Sequence, residues 1–213
     1  MHKLLIIGAS GGIGLRTVER ALEDGHAVRA VARRASAIEI DDPLLEKCDT
    51  DATDAEALRP ALEGATAVIQ AIGVAPSLQR TLKPVDLFSK STAALLPEME
   101  RAGIRRLVTV TGFGAGDSRN AMSLIERTGH RALLGRAYDD KDIQEEMIRA
   151  SNLDWLIVRP TILTNRPARG TYKVLLDPEE WRNGLISRAD VADFLVREAV
   201  APRHSRSTPV LTT

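Results

Sequence analysis

The chain has 213 residues, a length that suits one α/β domain with a substantial core. Its 29 lysines and arginines are matched by 29 aspartates and glutamates, and aromatic residues make up only 3%, which excludes the basic field and stacking surface of a nucleic-acid binder. A single cysteine (Cys48), scattered histidines and apolar runs far short of the roughly 20 residues of a bilayer span argue against a disulfide scaffold, a metal centre and a membrane protein.

Short β-rich apolar runs alternate with longer segments of helical period, the pattern of βαβ units around a parallel sheet. Strands are predicted at Lys3–Gly8, Ala27–Arg33, Leu44–Asp49, Ala67–Ile72, Arg105–Thr111 and Trp155–Arg159. Helices are predicted between them at Gly12–Asp24, Asp54–Glu63, Val85–Ala102, Asp139–Ala150 and Ser187–Val200. Thr53 with Glu56, and Ser187 with Asp190, fit the Ser/Thr-x-x-acid pattern of a helix start. The stretch from Thr161 to about residue 186 breaks the alternation with Gly170, Gly184, Pro167 and Pro178, and reads as an excursion that builds a substrate wall on a single domain. Because the strand pattern begins at residue 3, no signal sequence is expected, and the setting expected is the reducing cytoplasm.

Gly8, Gly11 and Gly14 stand three apart, directly after the first strand and opening the first helix. Glycine there lets the backbone turn sharply and approach a pyrophosphate seated on the helix amino terminus, so Gly8, Ser10, Gly11, Gly12, Ile13 and Gly14 are the candidate phosphate loop. A tight strand-to-helix turn without a ligand would use the same residues. The second strand tests the choice. It ends in Arg33 and Arg34, where a fold that prefers NAD usually carries an acidic residue; guanidinium groups there suit the 2′-phosphate of NADP, so NADP(H) is expected over NAD(H).

The segments GASGGIG, CDTDATD, AVIQAIG, RLVTVTGFGA, DKDIQEEMIRASNLDWLIVRP and ISRADVADFLV occur in order along most of the chain. In this the sequence resembles the atypical short-chain dehydrogenase/reductases, the NAD(P)-binding group that includes NmrA-like proteins and the biliverdin reductase B and flavin reductase type. The resemblance implies a doubly wound parallel Rossmann sheet of about seven strands with helices on both faces. It also implies that Asp51, with Ala52 beside it, lies against the adenine and that Ala71, Ile72 and Gly73 line the cofactor. Lys141, in the DK-x-x-x-E segment, is implied to touch the nicotinamide ribose or the reacting centre, and backbone near Pro160 to face the nicotinamide. Thr161 stands where the family often has glycine, which is expected to narrow or alter the pocket.

Ordinary short-chain dehydrogenases pair a tyrosine and a lysine four apart on one helix face, so that the cation lowers the tyrosine pKa. Here Tyr138 and Lys141 are three apart, with the helix expected to begin between them. Thr111, at the end of the fifth strand, offers a hydroxyl to substrate or nicotinamide. Thr111, Lys141 and Tyr138 are therefore the catalytic candidates. Trp155 and Cys48 read as core, and His130 as a surface residue.

These readings converge on an NADPH-dependent oxidoreductase acting as a monomer or homodimer on a small molecule, with a flavin, quinone, carbonyl or tetrapyrrole as acceptor. The alternative is a non-catalytic NADP-binding redox sensor of NmrA-like type that regulates a protein partner.

Overall fold

The computed structural model describes residues 1–73 and 86–213, with backbone alone at 124–127 and 129–134. The predicted helix start at Val85 and the side chain of His130 lie outside the described residues.

The chain runs β1 (Lys3–Ile7), α1 (Gly12–Glu23), β2 (Ala27–Ala32), β3 (Leu45–Asp49), α2 (Ala55–Leu62), β4 (Ala67–Gln70), α3 (Leu87–Arg101), β5 (Arg106–Val110), α4 (Leu124–Ala150) and β6 (Asp154–Pro160). It continues through β7 (Ile162–Thr164), β8 (Lys173–Leu175), β9 (Leu185–Ser187), α5 (Arg188–Val200) and β10 (Val210–Thr212). Eight strands form one sheet in the order β3-β2-β1-β4-β5-β6-β10-β8, parallel except for the antiparallel edge strand β8. The order reverses between β1 and β4, the crevice where doubly wound sheets bind ligands.

The inner strands β1, β4 and β5 are buried almost throughout because helices cover both faces, which explains their continuous apolar runs. One core layer, around Leu4, Ile6, Ile69 and Val108, packs under α1 and α5; the other, around Leu5, Ile7, Leu95 and Leu107, packs under α2 and α3. Each fully buried Leu, Ile or Val contributes about 1.5–3 kcal/mol relative to leaving it exposed. Trp155 belongs to this second layer, as its apolar surroundings predicted. Cys48 is only partly buried at its margin, on the outer strand β3, and burial still pushes its thiol up.

A polar network is threaded through the second layer. Gln70 on β4 accepts from Thr109 on β5 at 2.9 Å and from Gln144 on α4 at 3.0 Å, and donates to Ser91 and Thr92 on α3 at 3.2 Å. Asp140 on α4 takes the backbone N–H of Phe88, at the start of α3, at 2.8 Å. These bonds fix α3 and α4 against the sheet edge where the site lies.

Several expectations need correction. The helix predicted at Asp139–Ala150 begins at Leu124, so Tyr138 and Lys141 share one continuous helix. The cap of α2 is Asp54, which accepts from the N–H of Ala57 at 3.1 Å, because Thr53 is drawn into a turn on Asp51. The Ser187 cap forms as predicted, with Asp190 N–H donating to its hydroxyl at 2.9 Å. The sheet has eight strands, since β8 and β10 extend it, and β7 and β9 form a separate parallel pair. Strands of three residues carry too little periodicity to be seen in a sequence.

Candidate functional site

A cavity of about 830 Å³ runs along the carboxyl ends of β1, β2, β4, β5 and β6. Its centre is the turn from β1 into α1. Gly8 has φ +86°, and a Cβ there would sit 2.7 Å from the carbonyl oxygen of Ala71. A Cβ on Gly14 would overlap the carbonyl oxygen of Gly8, so this glycine lets the helix pack on the strand and lies behind the cavity wall. Gly11 and Gly12 have open space where a Cβ would stand, and Gly12 has φ +57°. Ser10 and Ile13 complete the turn.

The amino terminus of α1 carries no side-chain cap and no acidic residue in its first turn. The N–H groups of its first turn, which have no partner within the helix, and the positive end of the helix dipole therefore lie at the cavity. By contrast, α2 is capped by Asp54 and α5 by Ser187. The donor set, bare backbone N–H groups beside open glycines, fits the pyrophosphate of a dinucleotide.

Beyond the turn, Val31, Ala32 and Arg33 line one end together with Thr50, Asp51 and Ala52. Arg33 is exposed at the rim; Arg34 opens the short helical turn Ala35–Ala37 and is not among the lining residues. Asp51 accepts from the backbone N–H and the hydroxyl of Thr53 at 2.9 and 2.8 Å, and these bonds hold its carboxyl below the usual range. Ala71, Ile72 and Gly73 follow β4 along the cavity floor.

At the opposite end Thr111, Tyr138, Lys141 and Pro160 come together. Lys141 Nζ donates to the backbone carbonyl of Thr111 and lies 5.0 Å from the ring centres of both Phe88 and Tyr138. A spacing of three residues thus places Tyr138 and Lys141 side by side, because the helix is already formed at Tyr138. Desolvation in this apolar setting lowers the lysine to about 8, and burial raises the tyrosine to about 12. The phenol packs on Gly112, whose missing side chain leaves room for its hydroxyl.

Thr111 does not present its hydroxyl to the cavity as a free donor. The hydroxyl donates to the buried carboxylate of Glu145 at 2.8 Å. Glu145 also accepts from Arg159 Nε at 3.1 Å and Nη2 at 2.5 Å, while Arg159 Nη1 reaches Asp117 at 2.6 Å. Arg159, fully buried, stacks over Trp181 at 5.2 Å. Sequence reasoning assigned Glu145 and Asp117 no role. The signal was present, since Glu145 is the acid of DK-x-x-x-E and stands one helical turn after Lys141.

The outer wall of this end is Leu87, Phe88, Phe113 and Met122 on one side and Ile162, Leu163, Asn183 and Arg188 on the other. The second group comes from β7, the segment before β9 and the start of α5. Thr161 is buried there and its hydroxyl donates to the carbonyl of Leu211 at 3.1 Å.

An uncapped helix amino terminus beside open glycines, at the switch point of a doubly wound sheet, is the architecture of a dinucleotide-binding protein. The model of the NAD(P)H-binding family matches residues 8–202, and the chain belongs to that family. Among curated relatives, an uncharacterized sugar epimerase, YhfK of Bacillus subtilis, is 29% identical over 91% of this chain and 86% of its own length. An uncharacterized chloroplastic protein of Arabidopsis thaliana is 30% identical over 91% and 70%. Among solved structures, ChuY, an anaerobillin reductase from Escherichia coli O157:H7, superposes with a TM-score of 0.80 at 28% identity, covering 99% of this chain and 96% of its own. A short-chain dehydrogenase/reductase from Veillonella parvula in complex with NADP shares the fold, with a TM-score of 0.83 at 19% identity over 100% and 95%. Among the described residues no group of side chains is arranged to hold a metal, and no helix is long and apolar enough to cross a membrane.

Proposed function

We propose that this protein is an NADPH-dependent reductase that passes hydride to a small or planar acceptor, of the flavin, quinone, carbonyl or linear tetrapyrrole kind. One observation carries the reading: a cavity of about 830 Å³ is lined both by the uncapped amino terminus of α1 and by Lys141. When bound, the dinucleotide supplies the hydride. The chain supplies the rest. Gly8, Ser10, Gly11, Gly12 and Ile13 would hold the pyrophosphate, with Gly14 setting the helix position; Asp51 and Ala52 would flank the adenine end.

Arg33 at the rim supports a preference for NADPH, as a guanidinium can pair with the 2′-phosphate in bidentate fashion. Ala71, Ile72, Gly73, Pro160 and the Thr111 segment would position the nicotinamide. Phe88, Phe113 and Ile162 would exclude water from the acceptor, which favours planar apolar molecules. ChuY, an anaerobillin reductase, supports a tetrapyrrole as one class to test. A monomer or homodimer in the cytoplasm, with cellular NADPH as reductant, completes this reading.

The test is loss of NADPH absorbance against flavins, quinones, aldehydes and biliverdin, with binding of NADPH and NADH measured in parallel. Turnover with one class supports the reductase and names its acceptor. Tight NADPH binding with no turnover would overturn it in favour of a redox sensor.

A further inference from the structure

Lys141 stands in a cluster whose acids on its own helix are bonded to other groups, though the charge of Glu145 still acts on it. On its own helix, Asp140 is committed to the N–H of Phe88 at 2.8 Å, and Asp142 to the N–H of Gly116 at 2.6 Å and to Arg119 at 2.5 Å. Glu145, one turn on, is held by Arg159 and Thr111. From β5 the group facing Lys141 is the uncharged carbonyl of Thr111, and from α3 it is the ring of Phe88. Arg159 of β6 lies beyond Glu145, and Arg188 of α5 lines the same cavity. The lysine thus has a neutral anchor and two aromatic walls, and no ion pair to a carboxylate among the described residues. Its neighbour Tyr138 is a poor acid here, since burial makes the phenol hold its proton more tightly.

We propose, building on the reductase reading, that Lys141 and not Tyr138 is the proton donor of the reduction. As the acceptor gains hydride and its electron pair from the dihydronicotinamide, the Lys141 ammonium releases one proton to the acceptor oxygen or nitrogen on which negative charge grows. The N–H bonding electrons stay on Nζ, and the neutral amine keeps its hydrogen bond to the Thr111 carbonyl. Solvent entering the cavity returns the proton after product leaves. Two electrons and one hydrogen come from the dinucleotide, and the second hydrogen comes from the lysine. An amine held near 8 matches this task, because it is charged at neutral pH yet gives up its proton at small cost.

Two experiments test the donor. In the first, the apoprotein is labelled with trace acetic anhydride across pH 6–11 and Lys141 acylation is followed by mass spectrometry. Its midpoint is expected near 8, well below that of Lys90, which Asp86 at 2.7 Å holds up. A midpoint shared with Lys90 overturns the proposal. In the second, Lys141→Ala should lower kcat by about 100-fold or more and regain rate when methylamine or ethylamine is added. The wild-type kcat should fall as pH rises through about 8, and Tyr138→Phe should keep that limb in place. Full turnover by Lys141→Ala, or loss of the limb in Tyr138→Phe, overturns the donor alone. Absence of NADPH oxidation with every acceptor overturns the reductase reading and the donor with it.

Discussion

The Thr111 hydroxyl donates to the Glu145 carboxylate at 2.8 Å, while the Thr111 carbonyl accepts from Lys141. One residue at a strand end therefore fastens two groups of α4, and its side chain faces protein, not acceptor. Thr111→Val removes the hydroxyl bond and keeps the carbonyl. It should cost about 1–2 kcal/mol in urea unfolding, since Glu145 loses one of its buried donors, and should lower kcat less than Lys141→Ala does. An unfolding midpoint equal to wild type would show that the bond contributes nothing.

Glu145 and Arg159 are both almost fully buried, joined at 2.5 Å. Removing one partner leaves the other buried charge only its outer partner, Asp117 at 2.6 Å for Arg159 or Arg149 at 3.7 Å for Glu145. Glu145→Ala should lose about 3–5 kcal/mol of stability, and Arg159→Leu a similar amount. The double variant Glu145→Leu with Arg159→Leu should be far less destabilised than either single change implies, because no uncompensated charge remains. Chemical denaturation of the three variants checks this, and simple additivity would contradict it.

Two glycines of one loop should behave oppositely. Gly11→Ala adds a methyl group in open space, in a backbone conformation open to any residue, so unfolding should move little while NADPH affinity drops by about tenfold or more as the phosphate cradle fills. Gly14→Ala collides with the backbone of Gly8 and should cost several kcal/mol of stability, on the scale of about 1–3 kcal/mol for overpacking and more where backbone must move. Calorimetry of binding and thermal unfolding separates the two effects.

Arg33 and Arg34 also separate. Arg33→Ala should reduce the preference for NADPH over NADH by about tenfold, the scale of one lost charge-assisted phosphate contact. Arg34→Ala should change it little, because Arg34 lies off the cavity. The Kd values of both variants for both dinucleotides decide the matter, and the reverse ranking would move the phosphate site.

Burying Lys141 carries a cost with a definite pH dependence. Its folded value, about 8, lies below the usual 10.5, so the unfolded chain binds more protons between these limits. Stability therefore rises with pH through that window, and the penalty is complete below it. Lys141→Met should raise stability at pH 7 by about 1–2 kcal/mol, the shift discounted for solvent on the cavity side. That gain should vanish above pH 10.5. A gain independent of pH would trace instead to packing.

The sequence exposed the parts of the fold that obey a long period or a backbone rule. Strands β1 to β6 and helices α1, α2, α3 and α5 were legible because each repeats its burial pattern over several residues. Fifteen of the sixteen residues expected at the cofactor, less Arg34, either line the cavity or, as with Gly14, shape it from behind. The early start of α4 was hidden because Gly129 and Gly135 carry a low intrinsic helix propensity within the helix Leu124–Ala150. The Glu145–Arg159–Asp117 network was hidden for a different reason: its members are 14 to 42 residues apart and sit on α4, on β6 and in the turn after β5, which only tertiary packing brings together.

The small ribbon of β7 and β9 stands apart from the main sheet and carries Ile162 and Leu163 to the acceptor end. The dinucleotide end, by contrast, is lined by the turns that follow β1, β2, β3 and β4. On the proposed reading, changes in the ribbon would alter which acceptor is taken while leaving the electron source as it is.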